Sequence, residues 1–301
     1  MARLKPLWGA LAPIAKWLAR ARALLVATDF DGTLAPIVRR PGGAALPRRA
    51  RAALRRIARL PGASVAVLSG RTLDSVARHV ALPGVFLSGL AGLETLDARG
   101  RRRVHVPPSL RLPPALADTL TQWCARFDGA WLEDKDLALA LHYRAVTPQH
   151  HAALRAGVRR RLAPFRRRVV LVPGKRVLEI MPKAGVNKAV ALARAIPRGR
   201  RVAIFFFGDD ENDEPAHALV RRRRGIAVAV GRTRSRAEYA LQSPTEVTRF
   251  LEWLAAEWEQ RSGKHRPIPR SAPRPGVASH GALAARSGRF PERAREERAE
   301  P

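Results

Sequence analysis

Two carboxylates stand two residues apart in the segment 29–33, which reads Asp-Phe-Asp-Gly-Thr and directly follows an apolar run. In an extended chain, residues two apart point to the same side, so Asp29 and Asp31 are predicted to face a cleft while Phe30 faces the core. An Asp-x-Asp-Gly segment also occurs in calcium-binding loops, but such a loop needs a glutamate at its twelfth position, where this chain has Arg40. The pattern therefore favours a pair of catalytic carboxylates at the end of a strand.

A candidate anion site follows the next apolar run, at Ser69-Gly70-Arg71. A hydroxyl, free backbone N–H groups and the start of a predicted helix together attract phosphate oxygens. Ser69 could equally be the N-terminal cap of that helix, so its role stays open at this point.

Lys188 stands near the start of a helix predicted over residues 187–196. The chain has 56 basic residues, and only seven of them are lysines. A compact ammonium group is not interchangeable with the planar guanidinium of arginine, so a lysine here is expected to contact phosphate or carboxylate oxygens. The alternative is an ordinary solvated side chain.

Acidic residues are concentrated in the segment 208–214, Gly-Asp-Asp-Glu-Asn-Asp-Glu, after a run of three phenylalanines. Five carboxylates in so short a loop repel one another unless a cation or basic side chains neutralise them. A solvated acidic loop is the alternative, but a position directly after a buried strand in so basic a chain argues against it.

The elements that must position these groups alternate between strand and helix. Strands are predicted over residues 23–28, 64–68, 85–88 and 201–207, with helical patterns between them. This alternation is typical of an α/β fold with a doubly wound parallel sheet, whose active site lies beyond the carboxyl ends of the strands.

The predicted domain organisation interrupts that α/β hydrolase core with an insertion. Two helices and four short strands between residues 102 and 182 indicate an inserted α+β cap domain that recognises substrate. The predicted segments are an N-terminal amphipathic helix (1–22), the core (23–101 and 183–259), the cap (102–182) and a disordered basic tail (260–301).

Composition and charge limit the classes of protein to which the chain can belong. The net charge is +31, but the basic clusters are scattered and carry neither interleaved aromatic residues nor a nucleic-acid motif, so no specific nucleic-acid binding is expected. Cys124 is the only cysteine, which excludes an intramolecular disulfide and fits a reducing cytoplasm. No apolar run is long enough to cross a bilayer. Lys16 interrupts the N-terminal apolar stretch, which argues against a secretion signal, and a cytoplasmic monomer is predicted.

The order of these segments resembles the four motifs of the haloacid-dehalogenase phosphatases. The segments are, in chain order, Asp-x-Asp-Gly-Thr, a serine, a lysine and Gly-Asp-Asp-x-x-Asp. The resemblance implies that Asp29 is the nucleophile, forming an aspartyl-phosphate, and that Asp31 is the general acid and then the general base. Ser69 and Lys188 would hold the phosphoryl oxygens. Mg²⁺ would be bound by Asp29, by the main-chain carbonyl of Asp31 and by Asp209. Either Asp210 or Asp213 would support that metal site or hold Lys188.

A second layer of motifs is similar to the trehalose-6-phosphate phosphatase family. It comprises Trp131-Leu132-Glu133-Asp134-Lys135, Ala140-Leu141-His142-Tyr143-Arg144, the segment 174–180, and Gly89-Leu90-Ala91-Gly92-Leu93-Glu94, which corresponds to a family Gly-x-His-Gly-x-Glu. The resemblance implies substrate contacts from Gly70, Arg71, Glu94, Glu133, Lys135, Arg144, Lys175 and Glu179. Ala91, Ala189 and Asn212 depart from the family pattern.

The expected function is therefore hydrolysis of trehalose 6-phosphate to trehalose and phosphate, a step of trehalose biosynthesis. Two alternatives remain open from the sequence. One is a phosphatase of another sugar phosphate with the same core, and the other is a basic, nucleic-acid-associated protein.

Overall fold

The computed structural model describes residues 4–38, 44–174, 176–199 and 201–264. These residues form two sheets. The strands are β1 (Lys5–Pro6), β2 (Ala23–Asp29), β3 (Ala63–Leu68), β4 (Phe86–Gly89), β5 (Glu94–Leu96), β6 (Arg102–Val104), β7 (Trp131–Asp134), β8 (Leu139–His142), β9 (Val169–Gly174), β10 (Val177–Pro182), β11 (Val202–Gly208), β12 (Ile226–Val230) and β13 (Tyr239–Leu241).

The helices alternate with these strands along the chain. They are α1 (Leu11–Leu18), α2 (Arg48–Arg59), α3 (Leu73–Val80), α4 (Pro114–Cys124), α5 (His151–Leu162), α6 (Lys188–Ala195), α7 (Glu214–Arg222) and α8 (Pro244–Lys264). Short 3₁₀ turns connect several of them. No helix among these described residues is both long enough and apolar enough to span a bilayer.

The larger sheet has the strand order β1-β13-β12-β11-β2-β3-β4-β5-β6. Its strands from β1 to β4 in this order pair in parallel, while β5 and β6 add an antiparallel end. The predicted α/β class is confirmed, with a mixed sheet in place of a purely parallel one. Strand β2 is apolar from Ala23 to Ala27 and β11 from Val202 to Phe207, because helices cover both faces of the sheet.

The cap is a four-stranded antiparallel sheet, in the order β7-β8-β10-β9, with α4 and α5 on one face. Leu132, Leu141 and Leu178 point into its core beside those helices. The predicted cap boundary at residue 102 differs from the structure, since Arg102–Val104 forms β6 of the larger sheet. All three residues are exposed, so the segment carries no apolar pattern by which a strand could be recognised.

The two ends of the described chain meet on one face of the larger sheet. Residues 5–6 pair with β13, and the following helical segment buries Leu7, Ile14 and Leu18 against the core, as an amphipathic helix predicts. Helix α8 continues to Lys264, so residues 260–264 of the predicted tail are helical. The guanidinium of Arg261 lies over the Trp258 ring at 4.3 Å. The rest of that tail lies outside the described residues.

Candidate active site

The carboxyl ends of β2, β3 and β11 bring the predicted catalytic groups to one edge of the sheet. Asp29 ends β2, and Lys188 begins α6. The Nζ atom of Lys188 donates to Oδ1 of Asp29 and to Oδ1 of Asp213, each at 2.7 Å. Only 2% of the Lys188 side chain is exposed, so this is a buried ion pair and not the solvated lysine considered above.

Asp209, directly after β11, completes a group of three buried carboxylates. Ligand oxygens of Asp29, Asp209 and Asp213 lie within 4.8 Å of one another. Gly32 makes room for Asp209, because a Cβ at that position would lie 2.2 Å from its Oδ2, and the Gly32 φ of +82° also favours glycine.

The electrostatics of this group fit a cation. Burial raises the pKa of Asp29 well above its usual range; Lys188 opposes this effect, and the charges of Asp213 and Asp209 add to it. Burial by itself would lower the pKa of Lys188, but Asp213 and Asp29 outweigh it and raise that pKa. Lys188 contacts two of the three carboxylates, and the oxygen-rich cluster could hold a metal ion.

Asp210 and Asp213, either of which was predicted to support the metal site or to hold Lys188, have different contacts. Asp213 holds Lys188 with Oδ1 and accepts the backbone N–H of Asp210 with Oδ2 at 3.0 Å. Asp210 accepts the backbone N–H of Glu211 at 2.8 Å and caps the 3₁₀ turn of the acidic loop. Asp213 is therefore the direct partner of the lysine, and Asp210 braces the loop.

Asp31 is held by an arginine fork. Its Oδ2 accepts from Nε of Arg71 at 2.6 Å and its Oδ1 from Nη2 at 2.7 Å. The same guanidinium lies 5.4 Å from the centre of the Phe30 ring. Arg71 thus reaches the carboxylate predicted to be the general acid.

Ser69 lies at the end of β3 and is 1% exposed. Its Oγ accepts the backbone N–H of Arg71 at 3.1 Å, which closes a tight turn. Thr72, whose hydroxyl accepts from Ser75 N–H, is the N-terminal cap of α3. The alternative that Ser69 caps this helix is therefore wrong.

Lys135 connects the cap to the core. Its Nζ donates to the carbonyl of Gly70 at 3.3 Å and to Glu179 at 3.0 and 3.3 Å, and it lies 3.8 Å from Glu133. Burial alone would raise the pKa of Glu133, but the hydrogen bond from His142 and the charge of Lys135 lower it. Glu133, Lys135 and Glu179 therefore lie together, beside Gly70 of the core.

Two predicted substrate residues, Glu94 and Arg144, are placed differently. Glu94 is buried, and its oxygens accept from Arg102 at 2.6 Å and from the backbone N–H of Leu73 at 3.4 Å, so its contacts lie within the core. Arg144 is exposed just after β8. Lys175 lies outside the described residues.

Two cap residues near Glu133, namely Trp131 and His142, were not predicted from the sequence to contact the substrate. The ring of Trp131 stacks on that of His142, with 4.0 Å between centroids and 11° between planes. Side chains alternate along β7, so the sequence could have predicted that Trp131 and Glu133 share the face opposite the cap core, which Leu132 enters.

Two arginines of the basic cluster over residues 48–59 form ion pairs with acidic residues of the same chain. Arg49 of α2 donates from Nε and Nη2 to Glu252 of α8 at 2.9 and 2.8 Å, and Arg56 contacts Glu259 of the same helix. These arginines therefore connect two helices of the core.

Structural comparisons identify the class of fold. The chain is similar to a haloacid dehalogenase-like hydrolase from Bacteroides thetaiotaomicron, with a TM-score of 0.57 at 17% identity over 77% of this chain and 99% of that one. It is also similar to the C-terminal domain of C. albicans trehalose-6-phosphate phosphatase, with a TM-score of 0.71 at 21% identity over 85% and 99% of the two chains. The protein thus has the fold of a haloacid-dehalogenase hydrolase with a cap.

Sequence comparisons narrow this class to one family. The model of the trehalose-phosphatase family matches residues 27–247. Escherichia coli trehalose-6-phosphate phosphatase is 32% identical over 245 residues, which cover 79% of this chain and 89% of that protein. The probable trehalose-phosphate phosphatase D of Arabidopsis thaliana is 28% identical over 81% of this chain and 70% of its own length. The chain belongs to the trehalose-phosphatase family.

Proposed function

We propose that this protein hydrolyses trehalose 6-phosphate to trehalose and inorganic phosphate, with Asp29 as the nucleophile. The observation that carries the proposal is the buried group of Asp29, Lys188, Asp209 and Asp213 beside a cap whose Lys135 contacts Gly70. Phosphate monoesters resist hydrolysis strongly, so a covalent intermediate that divides the reaction into two displacements is favourable.

In the first displacement, a carboxylate oxygen of Asp29 attacks phosphorus and the bond from phosphorus to the sugar oxygen breaks. Asp31 gives its proton to that oxygen. Water then attacks the aspartyl-phosphate and gives a proton to Asp31, while the bond from phosphorus to Asp29 breaks. Phosphate leaves, and both carboxyl groups return to their starting states. Ser69 and Lys188 would hold the phosphoryl oxygens.

We propose Mg²⁺ as the metal, because its preferred ligands are oxygens of the kind gathered here. Asp29, Asp209 and the main-chain carbonyl of Asp31 would hold it. When bound, it would offset negative charge on the carboxylates and the phosphate. Added Mg²⁺ should raise the melting temperature of the wild type but not that of Asp209→Asn. Asp128→Asn, an exposed cap variant, should respond like the wild type, and an equal response of Asp209→Asn would contradict this site.

The sugar is assigned to the open face of the cap sheet. Glu133, Lys135 and Glu179 offer carboxylates and an ammonium group to the hydroxyls of a disaccharide. Contacts remote from phosphorus supply binding energy that positions the reacting group. Glu179→Ala should therefore reduce turnover of the disaccharide phosphate far more than turnover of a small aryl phosphate.

The decisive experiment is phosphate release from a panel of sugar phosphates. Trehalose 6-phosphate should have the highest kcat/KM, and Asp29→Asn should abolish turnover while the variant still unfolds in a cooperative transition. A higher kcat/KM on another sugar phosphate would show that this other compound is the substrate. Substantial activity of Asp29→Asn would show that the reaction does not proceed through a phosphorylated Asp29. A cytoplasmic monomer is part of the same proposal, and light scattering tests its oligomeric state.

A further inference from the structure

Trp131 is a large aromatic residue on the open face of the cap. The residue is 47% exposed, which is unusual for a tryptophan. Its neighbour Leu132 packs into the cap core, so Trp131 lies on the opposite face, together with Glu133. The exposed indole is thus on the same face as the polar groups assigned to the sugar.

The conformation of this indole is fixed by its neighbours. Trp131 is directly opposite His142 in the register of β7 and β8, and the two rings stack nearly parallel. The imidazole is held in turn, because its Nε2 lies 2.9 Å from Oε2 of Glu133. The unit of Trp131, His142 and Glu133, here called the aromatic platform, is therefore ordered before any ligand binds.

The position of the platform follows from the direction of β7. Lys135 comes directly after this strand and contacts Gly70 of the core, so that end of β7 lies at the catalytic edge. A strand rises about 3.3 Å per residue, which places Trp131 roughly 10 Å from Asp134, toward the far end. A ligand anchored by phosphate at Asp29 and extended along β7 passes Lys135 first, then Glu133, and reaches Trp131 last.

We propose that the aromatic platform binds the ring of the disaccharide that carries no phosphate, and so selects a disaccharide phosphate over a monosaccharide phosphate. This inference rests on the proposed function. The C–H face of a sugar ring packs on the electron-rich face of an indole, while its hydroxyls stay at the rim within reach of Glu133. A monosaccharide 6-phosphate is too short to gain this contact.

The test compares Trp131→Ala and Trp131→Phe with the wild type on trehalose 6-phosphate, glucose 6-phosphate and an aryl phosphate. Trp131→Ala should lower kcat/KM for trehalose 6-phosphate on the order of tenfold, mainly through KM, and leave the other two substrates within about twofold. Trp131→Phe should restore most of the loss. Val170→Ala removes exposed apolar surface from β9, at the opposite edge of the same sheet, and should match the wild type on all three substrates.

Several results would overturn the inference. One is an unchanged kcat/KM of Trp131→Ala on trehalose 6-phosphate, and another is an equal loss on all three substrates, which would mean that the indole only stabilises the cap. Failure of Trp131→Phe to recover activity would also count against it. A wild type that hydrolyses other sugar phosphates but not trehalose 6-phosphate would refute the proposed function, and this inference with it, before any variant is measured.

Discussion

Arg71 donates hydrogen bonds to both carboxylate oxygens of Asp31, at 2.6 and 2.7 Å, and the Arg71 side chain is only 12% exposed. A planar fork of this kind fixes the orientation of a carboxylate more strictly than a single hydrogen bond does. For Asp31 to give a proton to the sugar oxygen or take one from water, at least one of these two contacts must be released. We propose that the substrate phosphate would offer Arg71 an alternative anion at that moment.

Replacing Arg71 by lysine keeps the charge but removes the fork. We expect kcat/KM to fall by about 10- to 100-fold on trehalose 6-phosphate and on an aryl phosphate alike, because the lost geometry lies at the reacting end. Steady-state kinetics on both substrates measure this. A loss limited to the disaccharide phosphate would instead assign Arg71 to sugar recognition.

Replacing Lys188 by methionine leaves buried carboxylates without their ammonium partner. Breaking a buried pair in this way costs about 3–5 kcal/mol, so we expect the free energy of unfolding in EDTA to fall by this amount. Urea denaturation provides the measurement. Lys183→Met changes an exposed lysine five residues earlier and should be nearly neutral. Similar stability of both variants would show that the Lys188 ion pairs contribute little.

Gly157 of α5 allows the Trp123 ring of α4 to lie between the two cap helices. A Cβ at this position would be 2.0 Å from Cζ2 of the indole, whose N–H donates to the carbonyl of Leu154. Gly157→Ala should therefore destabilise the protein by about 1–3 kcal/mol. Thermal unfolding measures it, with Gly9→Ala as the control, since no atom lies within 4 Å of a Cβ there. A melting temperature equal to that of the control would contradict the packing.

Cys124 is buried in the cap core, and burial raises the pKa of its thiol from 9.0 to about 11. A raised folded-state pKa contributes stability that is fully present below pH 9 and is lost as the pH rises toward 11. At pH 8 the folded protein should have roughly 100-fold less thiolate than an unfolded chain and should react correspondingly slowly with a thiol reagent. Labelling rates with and without urea test this, and rapid labelling of the native protein would refute it.

The predictable part of the site is local in the sequence. Asp29 and Asp209 follow apolar strands directly, so the edge at which they meet follows from the rule for parallel sheets. Lys188 was recognised because lysine is rare in a chain so rich in arginine.

The remaining features depend on contacts between distant elements. The sequence could not decide between Asp210 and Asp213 as the partner of Lys188, because both lie in one loop and only the path of that loop separates them. The pairing of Asp31 with Arg71, 40 residues apart, depends on side-chain conformations at the ends of two strands. Glu94 was assigned to substrate from its motif, whereas its partners, Arg102 and the start of α3, become visible only once the antiparallel end of the sheet is formed.

The register of the larger sheet also constrains how the protein is made. Strand β2, which carries Asp29, pairs with β3 on one side and with β11 on the other, where Ala23 is opposite Val202. A ribosome releases β2 and β3 early, but it must complete the whole cap before β11 emerges. Until then one edge of β2 has no native partner, and an open edge can pair with another chain. The nascent protein is therefore exposed to aggregation while the cap is being translated, and the buried carboxylate cluster is complete only once Asp209 and Asp213 have been added.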